Sequence, residues 1–272
     1  MKRIALVKPV LVAAMLTFGT AQAAPDARQV LAASPVDDIV AQYPAMLSQG
    51  VRDGLKNSGK VPPMVADTIA YVVAGSFSAS KIEQQIVTGL QAQLSGAQLQ
   101  AVQEWYATPV ARKIAAAEIA ASAPEIWPQI RAAAGDLSSQ YKGSRKAQLF
   151  DRFDRAARAT ESAVDTTIAV QLGLASAMSA LSSESVHYDQ LRSKVESQRP
   201  ALRGVVEQQV YDSYLFTYDK ISVQEMELYL AFLESKAGRA FSQVVTESIQ
   251  QAIMAPVESI GKNLSGLLAP GQ

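Results

Sequence analysis

The chain of 272 residues contains no cysteine and a single histidine. Neither a disulfide nor a thiol nucleophile can exist, so apolar burial has to hold the fold. With His187 alone, a paired-histidine metal motif and a Cys-His dyad are excluded, and a Ser-His-Asp triad would have to be built on that one residue. No G-x-S-x-G elbow, phosphate-binding loop or dinucleotide fingerprint is present. Alternating runs rich in Val, Ile and Thr are missing, which argues against strands. An excess of basic charge is missing as well: 25 Lys and Arg residues face 25 Asp and Glu residues, an argument against a nucleic-acid binder. The sequence therefore assigns no metal, no cofactor and no catalytic residue, and binding is expected rather than a reaction.

What is present starts with a secretory signature. Lys2, Arg3 and Lys8 make a basic start, the run from Pro9 to Gly19 is apolar, and Ala21-Gln22-Ala23 precedes Ala24 and Pro25. This reads as a signal peptide over residues 1–23, cleaved after Ala23, and it predicts a periplasmic protein. The apolar core is short for a bilayer span and no Cys follows to carry a lipid, so the product is expected to be soluble. Cleavage would remove three basic residues and no acidic one, leaving a net charge of −3.

The chain also repeats itself. The stretch from Leu94 to Ile114 returns 127 positions later between Ile221 and Phe241. Ser95, Gln98, Leu99, Trp105, Thr108, Arg112 and Ile114 meet Ser222, Glu225, Met226, Phe232, Ser235, Arg239 and Phe241. Upstream, with a shift of 128, Ser34, Val36 and Asp37 meet Ser162, Val164 and Asp165, while Ile82, Ile86 and Leu90 meet Val210, Tyr214 and Tyr218. A unit of this size is a small domain rather than a solenoid repeat. The expected organisation is a signal peptide (1–23), a first helical repeat domain (24–134), a connecting helix (135–161) and a second helical repeat domain (162–272).

Apolar residues at three-and-four spacing predict an all-α fold of two duplicated multi-helix lobes. Ile39, Tyr43, Met46, Leu47, Val51 and Leu55 mark one face of a long helix that begins with Ser34 as N-cap and Pro35, is open to a kink at Pro44, and ends at Gly59. Pro62 and Pro63 open a second helix, and Ile82, Ile86 and Leu90 mark a third. Ser95 with Gln98, and Ser222 with Glu225, read as capping boxes. Thr108 and Ser235 are second start signals, so each copy should turn a corner there, with the small residues Ala111 and Gly238 allowing a close backbone approach. Pro124 and Pro128 should bend or end the first copy's helix, and Pro256 the second's. Between the copies, Asp151 with Arg155 and Asp154 with Arg158 are opposite charges four apart. They flank an apolar stripe of Leu149, Phe150, Phe153 and Ala157, which reads as the amphipathic connecting helix. Ala163 to Leu181 has the length of a membrane span, but Thr166, Thr167, Gln171 and several serines favour a helix buried between neighbours.

The element Trp105-Tyr106-Ala107-Thr108-Pro109-Val110-Ala111-Arg112-Lys113 resembles the signature of a family of exported bacterial proteins of unknown function, whose form is Phe-Tyr-x-Ser/Thr-Pro-x-Gly-x-Lys. The first copy has Trp105 for Phe and Ala111 for Gly. The second keeps Phe232, Ser235 and Gly238 but has Leu233, Lys236 and Ala240 at the Tyr, Pro and Lys positions. The resemblance implies an all-helical periplasmic domain and supplies no activity.

Candidate binding residues are of two kinds. Arg112 and Arg239 each fall in the first turn or so of a helix, where the macrodipole disfavours a cation. Either a structural ion pair holds them, with Glu104, Glu118 or Glu225, or the aromatic corner does, or they bind an anion at the helix start. Tyr211, Tyr214 and Tyr218 form one helical stripe, with Trp105 and Phe232 at the corners. Such a stripe serves either as core or as the wall of an amphipathic pocket. His187 is expected at an exposed helix start, and Glu184-Ser185 and Glu247-Ser248 lack the surroundings of a wall-cleaving enzyme. The leading functional expectation is a non-enzymatic protein-interaction module with a periplasmic protein partner. The alternative is a carrier of an apolar or amphipathic small ligand between the lobes, and a second alternative is a carboxylate-dependent periplasmic hydrolase, since carboxylates brought together by folding leave no spacing to read. A large cavity would favour the carrier, an exposed apolar patch the protein partner, and two facing carboxylates the hydrolase.

Overall fold

The computed structural model describes residues 25–59, 61–181 and 188–268, and these contain helices and connections without a strand. The segment read as a signal peptide, with its expected cleavage after Ala23, the Glu184-Ser185 pair and His187 lie outside the described residues. The order is α1 (Ala27–Ala33), α2 (Pro35–Ser58), α3 (Pro63–Ser76) and α4 (Ala79–Gln93), then the first corner, α5 (Gly96–Tyr106) and α6 (Pro109–Ser122). A 3-10 turn (Pro124–Ile126) leads to α7 (Trp127–Tyr141), followed by α8 (Arg145–Gln148), α9 (Phe150–Ala157) and α10 (Ala159–Leu181). Finally come α11 (Tyr188–Glu196), α12 (Arg199–Thr217) and the second corner, α13 (Val223–Leu233) and α14 (Lys236–Leu268).

Local chemistry sets most of these boundaries. The Ser34 hydroxyl accepts the Val36 N–H at the start of α2, and Gly59 ends that helix with φ at +63°. Pro44 sits inside α2 without ending it. Both corner helices begin with complete capping boxes, Ser95 with Gln98 and Ser222 with Glu225. Both also turn into the next helix through a hydroxyl: Thr108 Oγ1 accepts from Ala111 N–H at 3.1 Å and Ser235 Oγ from Gly238 N–H at 3.0 Å. The matched segments thus take the same local geometry. The small residue expected at the corner is required at Gly238, where a Cβ would lie 2.0 Å from the Phe232 carbonyl oxygen.

The connecting region departs from expectation. The region 135–161 is no single connecting helix: Lys142 and Gly143 break it, Gly143 at φ +71°, and Arg158 breaks it again at φ +54°. Ser144 starts α8 by accepting the Ala147 N–H, and the Asp154 carboxylate accepts the Thr160 N–H at the start of α10. The apolar stripe of this region is core: Leu149, Phe150 and Phe153 are buried. Of the two outcomes expected at Pro256, ending does not occur: α14 runs on through it to Leu268. After α6, in contrast, Pro124 lies in the 3-10 turn and Pro128 in the first turn of α7.

The halves 24–134 and 162–272 do not keep separate cores. One buried cluster joins Leu31, Ile86 and Leu90 to Tyr214, Leu230 and Phe241; a second joins Leu47 and Ile69 to Leu172, Val206 and Ile253. Each half packs within itself and also buries apolar faces against the other. The helices α4 and α14 approach closely enough that a methyl on Gly89 would lie 2.7 Å from Ser248 Oγ. The helix α10, rich in small residues, packs along α14, and no helix among the described residues is long and apolar enough to cross a membrane.

Candidate functional site

Among the described residues a cleft of about 500 Å³ opens where α6 and α2 of the first half meet α10 and α12 of the second. Ile39, Phe153, Ala163 and Val210 contribute apolar wall, and Ser122, Ser213, Thr217 and Gln209 bring polar groups. Its one ionisable carboxyl is Glu118. Glu118 Oε1 accepts the hydroxyl of Tyr218 at 2.6 Å and that of Tyr229 at 2.8 Å. Oε2 has no hydrogen-bond partner among the described residues. Protein surrounds the carboxyl closely, and the partly exposed Glu118 is one of the residues lining the cleft.

The positions follow from local folding. Thr108 and Pro109 launch α6, which carries Glu118 across to the second half. The other wall is fixed by Lys146, a buried cation whose Nζ donates to the carbonyls of Tyr218 at 2.8 Å and Asp219 at 2.9 Å, just past the end of α12. A cation there complements the negative end of the helix macrodipole. Desolvation lowers the Lys146 pKa, while Asp219 and Glu225 oppose that shift. In return the Tyr214 hydroxyl donates to the Lys146 carbonyl at 2.9 Å, so α8 and α12 hold each other and set the direction of Tyr218.

Burial raises the Glu118 pKa above the usual carboxylate value; the two tyrosine hydrogen bonds oppose that shift but do not cancel it. The same burial, with Glu118 close by, holds the hydroxyls of Tyr218 and Tyr229 well above the usual phenol value, so both stay protonated donors. No Lys or Arg lines the cleft.

The sequence-derived residues divide accordingly. Tyr214 and Tyr218, only 2% and 3% exposed, form core and cleft wall at once. Tyr211 packs its edge against Phe150 and is not in the cleft wall. Trp105 and Phe232 stack on one another, so the corner aromatics are packing partners. Arg112 is exposed and makes no ion pair among the described residues. The carboxylates expected for it are engaged elsewhere, Glu118 with the tyrosines and Glu104 with Gln100, and Glu225, expected for Arg239, pairs with Lys113 at 2.8 Å. Arg239 donates its Nε to the Glu234 carbonyl at 2.8 Å, so the negative end of α13 offsets the unfavourable start of α14. A smaller cleft of about 380 Å³ brings Arg239 near Arg152, Arg155 and Arg158, but Arg152 is already paired with Glu234 and Arg158 with Glu161. An apolar gap between Leu47, Ile69 and Ile253 has room for about 10 Å³, one water at most.

Sequence reasoning passed over Glu118 as a ligand-facing group. Its signal was its isolation, since it is the only charged residue between Lys113 and Glu125 in an alanine-rich helix.

Residues 80–140 match the model of a family described as an uncharacterized protein conserved in bacteria (DUF2059). The match covers the first corner and Glu118, so this part of the chain is similar to a bacterial family of unknown function. Neither the comparison with curated proteins nor that with solved structures gives a match.

Proposed function

We propose that the chain is an exported, non-enzymatic periplasmic protein that binds a small amphipathic ligand in the cleft between α6 and α12. The single observation that carries the reading is the cleft itself. At about 500 Å³ it lies in the ordinary range of small-molecule sites, with apolar walls and a few converging polar groups. Its position, where α2 and α6 meet α10 and α12, puts the ligand between elements of the two halves of the chain. The export signature of the first residues supports the location.

A hydrolase built on two carboxylates would need a second acid facing Glu118, and none is in the cleft wall. The protein-partner reading draws on Met64 and Tyr71, both 80% exposed on α3. Two side chains on one helix fall well short of the roughly 800 Å² per partner of a stable interface, so the ligand reading ranks first.

The test is fluorescence enhancement of N-phenyl-1-naphthylamine on the detergent-free mature protein, compared with Ala163→Trp, which fills the cleft from α10. Enhancement in the parent and its loss in a variant of unchanged circular dichroism is the expected result. No enhancement, or enhancement that Ala163→Trp leaves intact, overturns the reading.

A further inference from the structure

Resting on that reading, we infer that the ligand is an organic cation, an ammonium head on an apolar body, with the head at Glu118 Oε2 and the body along Phe153, Ala163 and Val210. The arrangement around Glu118 carries this. One oxygen accepts two hydroxyl donors, while the other has no hydrogen-bond partner among the described residues. Oε1 can accept both hydroxyls in either ionisation state, and when the carboxyl is ionised no Lys or Arg lines the cleft to balance its charge. An anionic ligand would therefore meet only like charge, and a neutral one would leave the carboxyl uncompensated. A cation supplies the missing partner. It also finds the rings of Phe153, Tyr214 and Tyr218 in the same wall, whose faces attract positive charge.

The ionisation state agrees with a site lacking its counter-charge. The titratable groups facing Glu118 are the hydroxyls of Tyr218, Tyr229 and Tyr106, all held protonated, and burial raises the Glu118 pKa. An ammonium at Oε2 reverses that preference by stabilising the charged carboxylate.

Three probes of one chain length separate the possibilities: decylammonium, decanol and decanoate, each titrated calorimetrically below its micellar concentration into parent protein and Glu118→Gln. The variant keeps an oxygen to accept both tyrosine hydroxyls and removes the charge. The expected result is decylammonium at least about tenfold tighter than decanol in the parent, with decanoate weakest. In Glu118→Gln the decylammonium advantage disappears and decanol affinity stays within about twofold. Equal binding of decanol and decylammonium, strongest binding of decanoate, or a cation preference that survives Glu118→Gln overturns the inference and leaves the cleft-binding reading standing. Failure of all three probes overturns both.

Discussion

Trp105 and Phe232, which hold the same position in the two similar corner segments, stack on each other with ring centroids 4.9 Å apart and planes 8° from parallel. Tyr229 lies on the same indole, again nearly parallel at 6.1 Å, and its hydroxyl reaches Glu118. The two corners therefore meet through their aromatic residues, and the stack ends at the carboxyl that faces the cleft. Phe153, Tyr214 and Tyr218 continue it edge to face and tilted, which favours ring contacts beyond their area alone.

Truncating that stack should be costly. Trp105→Ala is expected to lower stability by on the order of 3 kcal/mol, the low end for a large aromatic because the ring keeps some exposure. Trp105→Phe keeps the stacked geometry and removes an indole N–H that is buried without a partner, so its cost should stay under about 1 kcal/mol. Urea unfolding midpoints of the two variants decide this; equal losses would show that the stack itself contributes little.

Gly238→Ala should destabilise by about 3 kcal/mol, because the new methyl would overlap the Phe232 carbonyl, which is backbone and cannot rotate away. Ala111 at the equivalent position of the first corner already carries that methyl and is buried, so Ala111→Gly is expected to cost about 1 kcal/mol through helix propensity and lost packing. Thermal unfolding of both variants distinguishes a steric demand confined to the second corner from a shared one.

Glu118 gives a pH dependence with a definite sign. Its folded-state pKa lies above the 4.5 of an unperturbed carboxyl, so the folded protein holds the proton more tightly than the unfolded chain. The resulting stability is present below about pH 4.5 and is lost as pH rises through the folded value. Glu118→Gln cannot ionise, so it should raise the melting temperature at about pH 7.5 and leave it unchanged at about pH 4. A variant less stable than the parent at the higher pH would mean that the carboxylate is stabilised in the fold and that the sign is wrong.

Much of the architecture was legible in the sequence because it is written in local rules. Ser34, Ser95, Thr108, Ser222 and Ser235 all cap helices where their spacing placed them, since a side-chain oxygen two or three residues before an unpaired N–H is a short-range fact. The buried faces of α4 and α12 followed from three-and-four periodicity for the same reason. The broken region between the copies was less legible. Its four-apart charge pairs suggested one helix, but Gly143 and Arg158 in left-handed conformations and the burial of Phe150 and Phe153 depend on what surrounds them.

What the sequence determined by itself is the helical class, the helix starts, the two similar corners and the absence of cysteine and paired-histidine chemistry, all set by composition or by interactions within one turn. Only the tertiary structure decided that the halves share their cores, that Trp105 lies on Phe232, and that Glu118 meets Tyr218 and Tyr229 at the edge of a cleft. Those contacts join residues about a hundred or more positions apart. No spacing rule spans that distance, because what brings them together is the burial of each half's apolar faces against the other.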